Sequence, residues 1–89
     1  MAYCKTKIII NNNSGLHARP CSVFVKAANL FESDIKVTKN GDSVNGKSIL
    51  GLMTLAASFG EKVIIEADGP DAQDAVDTLK KVAINEFKK

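Results

Sequence analysis

Asn40-Gly41 constrains the fold of this chain more than any other feature. It follows Asp34 to Lys39, where Ile35 and Val37 alternate onto one face, and precedes the short segment Asp42 to Asn45. Asn-Gly between two such runs signals a type I′ turn, whose two left-handed residues match the twist of an antiparallel hairpin. The chain is therefore expected to contain an antiparallel sheet, with one face buried by the remaining segments.

Those segments switch between periods of two and of 3.6. Tyr3 to Ile10 alternates, with Cys4, Thr6, Ile8 and Ile10 on one face and Tyr3, Lys5 and Lys7 opposite. Three asparagines and a serine break it. A helix is expected from about Ala18 to about Phe31, with a stripe of Cys21, Phe24, Val25, Ala28 and Phe31. Val23, Ala27 and Leu30 widen its apolar surface, which fits either a docking surface or a helix buried on two sides. Gly46-Lys47-Ser48 opens a short helix to about Ala56 or Ala57, with Ser48 as N-cap and Leu52 and Leu55 directed to the core. Lys62 to Ala67 alternates again, with Val63, Ile65 and Ala67 on one face. Pro70 suits the first position of a last helix, whose stripe is Ala72, Ala75, Val76, Leu79, Ala83 and Phe87. Asp71 and Asp74 lie early in it, and Lys80, Lys81, Lys88 and Lys89 late, complementing the helix dipole.

The order is β-α-β-β-α-β-α. Its economical solution is an α+β open-faced sandwich: a four-stranded antiparallel sheet, three helices on one face, and a solvated face carrying lysines and Glu66. Eighty-nine residues make one domain, residues 1–89. A net charge of +2 is too small to argue for nucleic acid, and no apolar run approaches a membrane span. The first residues lack the apolar core of a signal peptide, so a cytoplasmic protein is expected. Cys4 and Cys21 lack metal-type spacing and are expected to be reduced thiols.

The chemistry concentrates in Asn12-Asn13-Ser14-Gly15-Leu16-His17-Ala18-Arg19-Pro20. This stretch holds the chain's one histidine and one arginine, two residues apart. It reads as a loop entering a helix: Gly15 accepts a positive φ, and Pro20 is tolerated in a first helical turn. His17 then falls at or near the N-cap, where free N–H groups and the helix dipole favour anions. Arg19 adds a permanent cation whose fork suits phosphate oxygens. A neutral imidazole beside an anion cradle is a nucleophile able to hold a phosphoryl group covalently. The bland alternatives are a capping histidine and a solubilising arginine.

Gly15-Leu16-His17-Ala18-Arg19-Pro20 resembles the active-site motif of the histidine-containing phosphocarrier (HPr) family of the bacterial sugar phosphotransferase system. Lys47-Ser48-Ile49-Leu50-Gly51-Leu52-Met53-Thr54-Leu55 resembles that family's regulatory serine segment, at the family's separation from the first motif. The resemblance spans essentially the whole chain and implies the same open-faced sandwich. It implies that His17 accepts phosphate on Nδ1 from phosphoenolpyruvate-charged Enzyme I and passes it to Enzyme IIA domains, with Arg19 stabilising the phosphate. The protein is then a carrier rather than an enzyme, works without cofactor or metal, and is expected to be a monomer.

The resemblance also implies phosphorylation of Ser48 by an ATP-dependent HPr kinase/phosphorylase. The bland reading of Ser48 is a structural N-cap. Ile49, Leu50 and Met53 become an exposed docking patch for the phospho-donor and acceptors, the ordinary alternative being core filling. Cys21 stands where the family usually has a small residue, often alanine; a buried thiol is expected there, since His17 and Cys21 alone are too few ligands for a metal. Two rival functions stay open. One is an HPr-family regulatory protein that signals phosphorylation state to a transcriptional or metabolic regulator without serving sugar uptake. The other is a ligand- or RNA-binding α/β plait, against which the low charge and few aromatics argue.

Overall fold

The computed structural model describes residues 2–9, 18–55 and 62–86. The elements are β1 (Ala2–Ile9), α1 (Ala18–Ala28), β2 (Asp34–Lys39), β3 (Asp42–Asn45), α2 (Ile49–Leu55), β4 (Lys62–Gly69) and α3 (Ala72–Glu86). Their order is the expected one. The strands form one antiparallel sheet in the order β1-β4-β2-β3. Asn40 and Gly41 both have positive φ, 52° and 87°, as the type I′ turn requires.

Strand β4 lies second in the sheet and pairs with both β1 and β2. Its alternation buries Val63, Ile65 and Ala67, and Ile8, Ile35 and Val37 join them on the covered face. Onto that face the helices direct Cys21, Phe24, Val25 and Ala28 from α1, Leu52 and Leu55 from α2, and the stripe from Ala72 to Ala83 from α3. Burying one such aliphatic side chain contributes about 1.5–3 kcal/mol. The open face carries a polar group instead. The Tyr3 hydroxyl donates to the Glu66 carboxylate, Thr38 Oγ1 donates to it at 3.4 Å, and Lys36 Nζ lies 3.8 Å away.

Several boundaries differ from expectation. Helix α1 ends at Ala28, three residues before Phe31. The chain then tightens, with Leu30 N–H donating to the Ala27 carbonyl and Phe31 N–H to that of Ala28, at 3.1 and 3.2 Å. Leu30 lies outside the core at 79% exposure, and Val23 is also exposed. Pro70 is not the first residue of α3. Strand β4 runs on to Gly69, so Pro70 occupies the turn, and Asp71 is the N-cap whose carbonyl accepts from Ala75 N–H at 2.9 Å. Lys80 and Lys81 lie midway along the described part of α3, and its last described turn holds no basic residue. Ile10, Phe87, Lys88, Lys89 and the expected end of α2 at Ala56 or Ala57 lie outside the described residues.

The turn before α3 is held by a contact that no periodicity announces. The Asp71 carboxylate accepts from Glu32 N–H at 2.9 Å, Ser33 N–H at 3.0 Å and the Ser33 hydroxyl at 2.6 Å. Ser33 is fully buried there. Gly69 is required for the approach, since a Cβ at that position would lie 2.6 Å from Ser33 Cα. The staple ties the end of the α1–β2 connection to the start of α3.

Candidate functional site

Among the described residues, helix α1 begins at Ala18, the residue that follows His17 in sequence. Its first turn has no acidic residue, so no carboxylate there opposes an anion at the helix N-terminus. Arg19 lies in that first turn. Gly15, Leu16 and His17 fall outside the described residues, as does the side chain of Arg19. Cys21, Phe24, Val25 and Ala28 anchor the helix from below.

Cys21 is wholly buried, and burial pushes its thiol up to about 11. At neutral pH it is a protonated, small core side chain, as expected, rather than a thiolate. Among the described residues, no three His, Cys, Asp or Glu side chains group as metal ligands.

Ser48 is the N-cap of α2. Its carbonyl accepts from Leu52 N–H at 3.0 Å, and its Oγ accepts from Gly51 N–H at 3.0 Å. A tight turn precedes it, with Ser48 N–H on the Asn45 carbonyl at 3.1 Å and Lys47 N–H on Asn45 Oδ1 at 2.9 Å. The Lys47 ammonium donates to the Phe31 carbonyl at 2.7 Å, joining the start of α2 to the chain just beyond α1. Sequence reasoning missed this tie; periodicity carries no signal for a lysine bonded to a distant carbonyl.

Along α2 the apolar residues divide. Leu52 and Leu55 are buried. Ile49, Leu50 and Met53 are exposed, Leu50 at 76%. This is the division expected from a seven-residue helix that cannot bury every side chain. Because α1 packs against α2, the exposed Val23 belongs to the same helical layer. The described residues thus supply the first turn of α1, a capping serine and a set of exposed apolar side chains.

Known proteins share this sequence pattern and fold. The sequence model of a family described as "PTS HPr component phosphorylation site" matches residues 4–85. The phosphocarrier protein HPr of Cupriavidus necator is 45% identical over 78 residues, 88% of each chain. The HPr-like protein Crh of Bacillus subtilis is 47% identical over 73 residues, 82% of this chain and 86% of its own. Among solved structures, a Mycoplasma histidine-containing phosphocarrier protein superposes with a TM-score of 0.91 at 38% identity, covering 97% of this chain and 99% of its own.

Proposed function

The chain belongs to the HPr family of the phosphotransferase system, whose members are phosphocarriers and not catalysts, and on that premise we propose that it relays phosphate through His17. Nδ1 of neutral His17 attacks the phosphorus of phosphorylated Enzyme I. The nitrogen–phosphorus bond forms as the donor's bond to phosphorus breaks. An acceptor nucleophile on an Enzyme IIA domain then reverses the step and regenerates neutral His17. Arg19 and the first N–H groups of α1 stabilise the phosphate oxygens without a metal or other cofactor. The carrying observation is the match of a phosphorylation-site family over residues 4–85, which include His17 and Arg19.

Ser48 is the regulatory phosphosite of this reading, taking phosphate from an HPr kinase/phosphorylase. A phosphate there adds a charge of about −1.5 to −2 at a helix start, which tolerates it, so the effect falls on partners rather than on the fold. Ile49, Leu50 and Met53 form the docking patch for Enzyme I and Enzyme IIA. The protein is a cytoplasmic monomer that needs no nucleic acid. No helix among the described residues is long and apolar enough to cross a membrane.

The test is incubation with phosphoenolpyruvate and Enzyme I, read by intact mass and phosphorus NMR. One acid-labile phosphoryl group that disappears in His17→Ala is expected; an unphosphorylated protein with active Enzyme I overturns the reading. A second reading rests on the 47% identity to Crh, alongside 45% to an HPr. In it, phosphorylated protein signals to a transcriptional or metabolic regulator and serves no sugar uptake. Transfer from phosphorylated His17 to Enzyme IIA favours the first reading. Accumulation of the phosphoprotein with no acceptor, and capture by a regulator, favours the second.

A further inference from the structure

The sheet has a free edge at β1. Among the described residues its one strand partner is β4. An edge strand presents backbone N–H and C=O groups to any chain able to lie beside it. Beside this edge is a groove of about 550 Å³ lined by Lys5, Thr6, Lys7, Ile64 and Lys80.

The charges are disposed on both sides of the strand. Lys5 and Lys7 stand on the open face of the sheet, and Thr6 between them points to the other. Lys80 comes from α3, which packs against β1 on the covered face. Lys5 contributes to the field at Glu66, whereas Lys7 and Lys80 have no carboxylate partner among the described residues. Apolar surface continues the row, since Ile9 is exposed and Ile64 lies across from Lys7 on β4.

We propose that the free edge of β1 docks an acidic, extended segment of a partner protein, which adds to the sheet as a fifth strand. The pleat sets the chemistry of this guest. Carboxylates two positions apart stand beside Lys5 and Lys7, and the residue between them points to the other face, toward Lys80. Three consecutive acidic residues therefore satisfy all three lysines. An apolar side chain two positions beyond the residue at Lys7 falls beside Ile9. A second copy of β1 is a poor guest, because it sets Lys5 and Lys7 against their own duplicates. A compact anion leaves the edge backbone groups unpaired and cannot span both faces. The site makes no use of His17 or Ser48.

The experiment titrates the full-length, nitrogen-15-labelled protein with a capped peptide of three consecutive glutamates flanked by valine and threonine. An all-glutamine version and inorganic triphosphate serve as comparisons. Amide shifts centred on Ala2 to Ile9 are expected, with affinity falling as salt rises. Lys7→Glu should weaken binding about fivefold and Lys80→Gln about twofold, while Lys26→Glu on α1 changes it less than either. Lys80→Gln lies on α3 and keeps the test open if Lys7→Glu disturbs the strand. Equal binding of the glutamine peptide, shifts centred on the helices, triphosphate displacing the peptide with the same lysine dependence, or a dimer that blocks the edge would each overturn the proposal.

Discussion

Among the described residues, helix α3 runs for 15 residues and buries Ala72, Ala75, Val76, Leu79 and Ala83 along one stripe, while α2 runs for seven and buries Leu52 and Leu55. Both lie over the same face of the sheet. A helix as short as α2 has no stability of its own, because nucleation outweighs so few hydrogen bonds. It is kept by two leucines, the Ser48 cap and the Lys47 tie to Phe31. Its other apolar residues are not needed underneath and lie at the surface. In α3, composition follows stability; in α2, a minimum of anchoring leaves apolar side chains available for contact.

The largest expected effect falls on α3. Leu79 is completely buried, so Leu79→Ala removes a core side chain and leaves a cavity. A loss of about 2–5 kcal/mol is expected, read by urea unfolding. An effect below the Ser48→Ala value would remove the distinction between the two helices. Ser48→Ala deletes the acceptor of Gly51 N–H and should lose about 1 kcal/mol. Ser48→Asp keeps a capping oxygen and should recover most of that loss in the same measurement.

The sequence displayed α3 and the sheet well because both repeat a simple period against one surface. Ile35, Val37, Val63, Ile65 and Ala67 were expected on one face and are buried there. Leu52 and Leu55 are also separable from Ile49, Leu50 and Met53, because a short helix cannot present every apolar side chain to one sheet and the family resemblance sets the second group at the surface. Contacts between distant backbone and side-chain groups were not legible. Asp71 to Ser33 and Lys47 to Phe31 obey no period, and α3 begins at Ala72, two residues after Pro70, because β4 runs on to Gly69. His17 lies outside the described residues, so its chemistry rests on its neighbours in sequence and on the proposed relay.

The Asp71 staple predicts a smaller, pH-dependent effect. The Ser33 hydroxyl, with the Glu32 and Ser33 N–H groups, holds the Asp71 carboxyl below its ordinary value of 3.8. The folded protein therefore binds this proton less readily than the unfolded chain does. The staple's stabilisation is complete above the ordinary carboxylate value and disappears as pH falls through the lowered folded value. Ser33→Ala should lower the melting temperature at pH 7, and the difference from the parent should shrink as the pH falls below the ordinary carboxylate value of 3.8. A difference that stays constant across that range would show that Ser33 acts by packing alone.

Met53→Lys is the smallest perturbation of stability and the sharpest test of the comparison. Met53 is exposed at 40%, and the long lysine stem can follow the same surface with its charge in water. Stability is expected to change by no more than about 0.5 kcal/mol. Phosphoryl transfer from Enzyme I should nonetheless slow, because a charge placed in an apolar contact must be desolvated when the partner closes over it. Leu50→Lys, at a more exposed position, should repeat the pattern. Unchanged transfer in both variants would leave α2 as a helix with ordinary exposed residues. Impaired transfer with an unchanged unfolding curve would separate its two roles: Leu52 and Leu55 hold it, while Leu50 and Met53 present it.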